Sequence, residues 1–387
     1  MLLLAEKTVD IKRITATVIG EMNVIDLNNI EKYRENNRIE AKKATGGLPK
    51  SLWETYSSFA NTLGGIILLG VEEYRDKSLH PVNLLDPDEL IEEFWEIAND
   101  IQKVSTNILS YDDVYVQKIE EKHIIVITVP KAKRFDRPVY LDGSIHNSYR
   151  RNGEGDYRCT LDQINAMVRD SEIKTQDMNI IECMTASVFN TDSLHSYRIK
   201  MSNVKPNNRL QNLSDKDFLQ AIGAIGVGED LLFHPTAAGL LMFGKSEFIK
   251  KEYPYYCLEY KETTQDDKHT IISSNLNSDC ENLYDFFIKV FEKISYDIKL
   301  TANIKSDITP ITTALQEALA NCLINADYYG SNGVVIMKDD ESITISNPGG
   351  FRVELDAARA GGISDPRNTA IMRMFNLIGI GSNDGFG

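Results

Sequence analysis

No stretch of this 387-residue chain approaches the roughly 20 consecutive apolar residues that a membrane-spanning helix requires. The opening Met1-Leu2-Leu3-Leu4 meets Glu6 too soon for a secretory signal. A membrane protein and a secreted one are thereby excluded as expectations, and a cytoplasmic location is predicted. Cysteine is sparse: Cys159, Cys183, Cys257, Cys280 and Cys322 are scattered without a C-x-x-C pair. That excludes a disulfide framework or zinc knuckle and leaves free thiols as the expectation. Positive charge is also short, 42 Lys and Arg against 57 Asp and Glu for a net charge of -15. A uniformly acidic surface repels phosphate, so any nucleic-acid contact must be concentrated in one patch. With 42% hydrophobic residues the chain has ordinary globular content, and its length allows about two or three domains.

What is present is organised around residues 35–73. Arg38 to Lys42 alternates in character and predicts an extended strand with Glu40 and Lys42 on one face. Ser51 and Glu54 have capping-box spacing ahead of a helix with Leu52, Tyr56, Phe59, Ala60 and Leu63 on its apolar side. Gly64-Gly65 ends that helix, and Ile66 to Val71 reads as a buried strand delivering Glu72 and Glu73 at its far end. Glu35 and Glu40 have opposite strand parity, so they share a site only if Glu35 lies in the turn before the strand. Glu73 must then arrive from the end of the neighbouring strand. Three carboxylates gathered in this way repel one another without a cation, so convergence implies Mg2+ or Mn2+ able to activate water. Scatter over the surface is the alternative.

Residues 131–158 supply the expected patch. Lys131, Lys133, Arg134, Arg137, Arg150, Arg151 and Arg158 face four acids there, for a local charge of +3. Phe135, Tyr140 and Tyr149 are interleaved, a mixture that suits base stacking beside phosphate contacts and also occurs on ordinary solvated hairpins. Around this stretch, Asp86-Pro87 opens a scaffold helix with an apolar stripe from Leu90 to Ile101. Val114–Ile119 and His123–Val129 read as a strand pair, and Thr160 with Gln163 boxes a closing helix. Residues 171–195 are polar and mixed, and read as a connection. Further on, Leu283, Phe286, Phe287, Val290 and Ile294 mark an amphipathic helix. Gly239 to Ser246 satisfies the phosphate-loop expression G-x4-G-K-[ST], but Leu240, Leu241, Met242 and Phe243 would fill a loop that must expose its amides. A buried strand or helix end is the simpler expectation.

The pattern E-x4-E-x-K followed by S-x-W-E-x-x-S-x-F-A-N-T-x-G-G-x-x-L-x-G-V-E-E resembles the AlbA_2 domain shared with Schlafen proteins, over roughly residues 27–160. The resemblance implies a nucleic-acid-binding domain. Since Schlafen relatives with RNase activity use three acids, it also carries a catalytic and metal-binding role over to Glu35, Glu40 and Glu73, with Lys42 beside them. The stretch H-P-T-A-A-G-L-L-M-F-G-K resembles a linking segment of bacterial proteins often labelled RecG-related helicases; no helicase motor motifs are visible.

A second constellation lies near the C-terminus, where Glu317, Asn321 and Asn325 fall four apart on one helical face. A carboxylate and two amides there suit a divalent ion and an oriented water; a solvent-facing polar stripe is the alternative. Together with Ile345-Ser346-Asn347-Pro348-Gly349-Gly350 and Gly362 to Asn368, this resembles the divergent ATP-binding domain of the histidine kinase, gyrase and heat-shock chaperone (GHKL) group. On that resemblance Glu317 matches the water-activating acid, Asn321 the Mg2+ ligand, Asn347 the adenine contact, and Gly349 with Gly350 the first glycine loop. Asn347 replaces the usual aspartate and Asn325-Ala326 a frequent His-Arg, so binding is a firmer expectation than hydrolysis. The sequence ends where the family places its second glycine loop, and an incomplete ATP domain is expected.

The expected architecture is α/β of the α+β kind: a lead segment (1–26), an AlbA_2-like two-layer domain (27–170), a connecting region (171–300) and a partial GHKL-type sandwich (301–387). The expected function is an ATP-responsive, regulatory nucleic-acid-binding protein using ATP and Mg2+, with no membrane partner and self-association left open. A metal-dependent endoribonuclease and an assembly scaffold with degenerate sites are the alternatives.

Overall fold

The computed structural model describes residues 26–206, 208–263, 271–273, 280–302, 310–339, 342–353 and 364–381. Most of the expected lead segment, Gly362, and 382–387 of the expected second glycine loop lie outside these residues. The chain divides into two compact units, residues 1–171 and 172–387, and both are mixed α/β.

The first unit is built on a four-stranded sheet of order β1-β2-β6-β5. It comprises β1 (Ile39–Lys42), β2 (Gly65–Leu69), β5 (Val114–Ile119) and β6 (Lys122–Val129). β1 runs parallel to β2 across the helix α1 (Ser51–Asn61), and the other ladders are antiparallel. Alternation along β2 and β6 sends Ile67, Leu69, Ile125 and Ile127 to α1 and α2 (Pro87–Asn99), against Phe59 and Phe94. Leu68, Ile124 and Val126 go to the opposite face, with Ile30, Val71 and Leu79. Both faces of β2 are covered, which is why it reads as an unbroken apolar run.

That run does not continue to Val71 as one strand. Gly70 takes φ +80, in the left-handed region that glycine enters without penalty. β3 (Val71–Glu73) therefore leaves the main sheet and pairs with β4 (Leu79–Pro81). A small sheet of β7 (Tyr140–Leu141), β8 (Ser144–Asn152) and β9 (Gly155–Arg158) packs on α1, and α3 (Leu161–Ser171) closes the unit with the expected Thr160 and Gln163 bonds.

Each residue of the Phe59 to Gly65 run has a physical task. A Cβ on Gly65 would fall 2.6 Å from the Phe59 ring, and one on Gly64 2.8 Å from the Val129 carbonyl. Asn61 accepts from the Val139 amide (2.8 Å) and donates to the carbonyls of Val139 (2.9 Å) and Tyr149 (3.1 Å). Ser57 Oγ donates to the Val139 carbonyl and accepts the Tyr149 amide, and Thr62 Oγ1 accepts the Arg151 amide. The helix thus satisfies backbone groups of the small sheet that a neighbouring strand would otherwise pair. The expected Ser51–Glu54 capping box does not form. Lys50 stands at the N-cap without a side-chain bond, and Glu54 accepts from the Tyr149 hydroxyl instead (3.1 Å).

In the second unit one apolar core runs from Ile181 to Ile380, so the segments read as a connecting region and a C-terminal domain share it. Its helices are α4 (Thr191–Val204), α5 (Asp215–Ala221), α6 (Ala237–Phe243), α7 (Ser246–Glu252), α8 (Leu283–Ala302), α9 (Pro310–Asn325) and α10 (Thr369–Leu377). A hairpin of β10 (Ile225–Val227) and β11 (Phe233–Pro235) precedes α6. The main sheet has the order β13-β12-β14-β15, from Ile271–Ser273, Leu258–Thr263, Val334–Lys338 and Ile343–Ser346, with β12 and β14 parallel. The stripe expected on α8 is buried throughout. The phosphate-loop lookalike is the buried helix α6, with the Gly239 amide bonded to Thr236 Oγ1, so no amide cradle exists there.

The connecting stretch also carries a structural anion. Buried Asp177 Oδ2 accepts the amides of Ala370 (2.8 Å) and Ile371 (2.9 Å) at the start of α10, and Oδ1 accepts from Thr175. Burial raises its carboxyl above the usual range while these bonds pull the other way.

Asn61→Ala removes three bonds and strands paired backbone groups. It is expected to destabilise the protein by about 2–4 kcal/mol in urea unfolding. A loss below about 1 kcal/mol would show that the clamp is dispensable.

Candidate nucleic-acid interface and acidic cluster

The β8–β9 hairpin pairs Tyr149 with Arg158, Arg150 with Tyr157 and Arg151 with Asp156. Because successive side chains on a strand point to opposite faces, the hairpin has two different chemical faces. Inward go Tyr149 and Arg151, both buried; outward go Arg150 and Tyr157, both exposed.

Arg151 is 5% exposed, and its guanidinium is fully engaged. Nη2 reaches Glu40 Oε2 (2.7 Å) and Nη1 reaches Asp156 Oδ1 (3.0 Å), while Nε and Nη2 donate to the Asn36 carbonyl. Burial alone would lower its pKa, and the two carboxylates more than offset that, so it stays charged. Asp156 also accepts from Ser58 and Thr55 on α1, and Glu40 Oε1 accepts from Lys42 Nζ at 2.6 Å. Two cations and two anions cancel within this buried group. The expectation that Arg151 contacts phosphate is corrected here: its side chain is a strut between β1, α1 and the hairpin.

The acids lie as strand parity required. Glu35 sits in the turn before β1, and its Oε1 accepts the Ala41 amide (3.0 Å). Burial raises the Glu35 carboxyl above the usual range, the Ala41 amide opposes this, and nearby Glu40 and Glu73 raise it further. Glu73 faces Lys77 Nζ at 3.3 Å, and Lys77 also pairs with Glu154 in the β8–β9 turn (3.2 Å). Each acid is therefore near the others yet held by a partner of its own. Among the described residues no group of three His, Cys, Asp or Glu side chains is spaced to hold a metal ion. Glu40, with both oxygens taken by cations, fits a metal least well.

The remaining basic residues have mixed surroundings. Lys133, Arg150 and Arg158 are exposed, and Lys131 is half-buried. Arg134 donates to the Asp170 carbonyl (2.8 Å) and lies over the Phe135 ring at 3.8 Å. Arg137 is half-buried beside Pro138, and Arg158 Nε donates to the Tyr149 hydroxyl (3.3 Å). Tyr157 was not among the residues singled out from the sequence. The signal that finds it is the hairpin's alternation, which sets it opposite Arg150 and away from the core.

The second unit brings Glu317, Asn321, Asn325, Asn347, Gly349 and Gly350 to one cavity of about 680 Å3, with Arg352, Asp365 and Arg367 also lining it. Arg367 passes beneath the glycine pair, donating to the carbonyls of Asn325 and of Gly350 (3.0 Å). Asn325 Nδ2 turns back to the Asn321 carbonyl (3.0 Å), so that amide braces the helix end. Asn347 Nδ2 likewise donates to the Pro348 carbonyl (3.2 Å). The cavity wall also includes Cys322, whose thiol burial pushes up to about 12.

Comparison with known proteins bears on the first unit. Residues 35–160 match the Schlafen AlbA_2 family. Residues 165–259 match a domain of unknown function, DUF8451. Among solved structures, the chain is similar to the N-terminal domain of a RecG-related protein from Nitrosomonas europaea, at 30% identity over 34% of this chain and 89% of that one, TM-score 0.26. It is also similar to the DIP2311 protein of Corynebacterium diphtheriae, at 15% identity over 91% of this chain, TM-score 0.38, and spans 59% of that protein's length. At these scores neither superposition adds to the assignment. No curated protein matches. No described helix is long and apolar enough to cross a membrane.

In the AlbA_2-like unit, Arg151→Ala would leave Glu40 and Asp156 facing each other across a vacated, buried position. A loss of about 3–5 kcal/mol is expected in chemical unfolding, against less than about 0.5 kcal/mol for exposed Arg150→Ala. Equal effects of the two substitutions would refute the division of the hairpin into a structural and a free face.

Proposed function

We propose that this protein binds nucleic acid through the outer face of the β8–β9 hairpin and the adjoining basic loop. The observation that carries this is the hairpin's two-sidedness. The inner charges cancel among Arg151, Lys42, Glu40 and Asp156, while Arg150 projects outward opposite Tyr157. Lys133 and Arg158 are exposed in the same basic stretch, which suits phosphate contact in a chain whose net charge is otherwise repulsive. The match to Schlafen AlbA_2 supports the same reading.

Binding without cleavage is the form we favour. The Glu35, Glu40 and Glu73 carboxylates are held by an amide and by internal cations, so a divalent ion would have to displace Lys42, Arg151 or Lys77. The nuclease reading is therefore weaker than the binding one. Measured by anisotropy over a salt series, Arg150→Glu is expected to weaken binding and to reduce the slope of log K against log salt by about one. An unchanged slope would remove the hairpin from the interface.

For the second unit we infer an adenine-nucleotide site that makes nucleic-acid binding ATP-responsive and regulatory. A cavity of about 680 Å3 walled by Glu317, Asn321, Asn347 and the Gly349-Gly350 turn supports this, being of a size suited to small ligands. If Mg2+ accompanies the nucleotide, Glu317 and Asn321, one turn apart on α9, are the side chains to hold it or its water; the ion would supply charge neutralisation of the phosphates. Titration calorimetry is expected to show Mg2+-dependent ATP binding that Asn321→Ala weakens at least about tenfold, roughly 1.4 kcal/mol. Binding indifferent to Asn321→Ala would contradict the assignment. Loss of both nucleotide and nucleic-acid binding in the unaltered chain would leave the scaffold reading.

A further inference from the structure

Between residues 131 and 158 four aromatic rings lie beside basic residues, and their surroundings differ in a way that selects one. Tyr149 is buried with its hydroxyl bonded to Glu54, and Tyr140 is half-buried in β7. Phe135 is exposed, but the Arg134 guanidinium covers its ring at 3.8 Å. Tyr157 is 54% exposed, and its ring lies back over Gly155, two residues earlier on the same face of β9. A Cβ on Gly155 would fall 2.6 Å from ring atom Cε2 and 2.8 Å from Cζ, so the absent side chain makes room for the ring. Directly across the hairpin stands Arg150.

We infer that Tyr157 is a stacking platform for one unpaired nucleobase, with Arg150 placed for the neighbouring phosphate, so that the ligand is single-stranded where it crosses this hairpin. This inference rests on the nucleic-acid reading above. A duplex keeps its base faces stacked on one another and offers a ring only edges and backbone, whereas an unstacked base presents a whole π-face. A ring laid against the strand loses little further freedom when a base settles on it, and a cation beside it serves the backbone of that nucleotide. Shielding of the Gly155 backbone explains the ring's resting place but gives no reason for a ligand to distinguish single strands from duplexes.

The test uses the full chain with fluorescein-labelled RNA and DNA single strands of about 15 nucleotides and the duplexes formed from them, followed by anisotropy at several salt concentrations. The unaltered protein is expected to prefer single strands. Tyr157→Ala should weaken single-strand binding by about 5- to 100-fold without changing the salt slope and leave duplex binding as it was. Tyr157→Phe and Tyr157→Trp should retain binding, because the π-face and not the hydroxyl is used. Gly155→Ala, which dislodges the ring without deleting it, should lower single-strand affinity in the same direction, with thermal melts of each variant confirming the fold. Equal losses on single strands and duplexes, or loss in Tyr157→Phe, would overturn the proposal. If Arg150→Glu weakens binding and Tyr157→Ala does not, the stacking role alone fails; if the unaltered chain binds no nucleic acid, the reading beneath it fails as well.

Discussion

The first unit depends on one buried cation. Arg151 enters from the hairpin and is met by carboxylates from two other places in the chain, Glu40 on β1 and Asp156 on β9. Desolvating a guanidinium is costly, and the cost is offset only because both carboxylates and the Asn36 carbonyl converge on it with direct bonds. Asp156 is then tied to α1 by Ser58 and Thr55, so that strand, helix and hairpin meet at a single neutral group. Such a group is weak evidence of net stability, but it sets register: sliding β8 by one residue would bury Arg150 and expose Arg151, with Tyr157 turned inward.

The same contacts recast the acids. β1 is the edge strand of the main sheet, and its outward amide at Ala41 and carbonyl at Ile39 have no neighbouring strand. Glu35 takes the amide, and the Ile39 carbonyl accepts from the Asn36 amide and from Arg151 Nη2. Residues that a motif reading assigns to metal chemistry thus cap an exposed edge, a position where unpaired backbone groups invite unwanted pairing. Proximity of Glu35, Glu40 and Glu73 then needs no cation to explain it, since Lys42, Arg151, Lys77 and the Ala41 amide already compensate the charge.

What was legible in the sequence was local periodicity. Glu40 and Lys42 share a face because strand alternation puts them there, and their 2.6 Å ion pair follows. The α8 stripe and the Asp86 N-cap, whose carboxylate accepts the Glu89 amide, obey helical spacing in the same way. What was not legible depended on partners distant in sequence. Glu54 has the spacing of a capping box but goes to Tyr149, 95 residues away. Gly70 lies within an apolar run, and only the pairing of β3 with β4 shows that the chain turns there. Arg150 and Arg151 look alike as letters; alternation says that they part, but which one is inward is decided by Glu40, more than a hundred residues earlier.

The second unit shows the same division between spacing and long-range closure. Helical spacing puts Glu317 and Asn321 one turn apart, and both do line one cavity. The cavity's opposite wall, however, comes from Gly349-Gly350, and these glycines are seated by Arg367, which also grips the end of α9 through the Asn325 carbonyl. A Cβ on Gly349, whose φ is +102, would fall 2.4 Å from the Arg367 guanidinium, so the close approach of loop and arginine requires glycine. Arg367 leads directly into α10 through Asn368, whose side chain donates to the carbonyls of Ile324 and Ala326, and α10 in turn starts on Asp177. The cavity is therefore braced by a chain of buried polar contacts that begins in residues 175–177, a stretch whose polar composition reads as a mere connection. Buried polar side chains aimed at helix ends and backbone carbonyls leave no periodic trace, because each is specified by a partner fold-wide away and not by its neighbours in sequence.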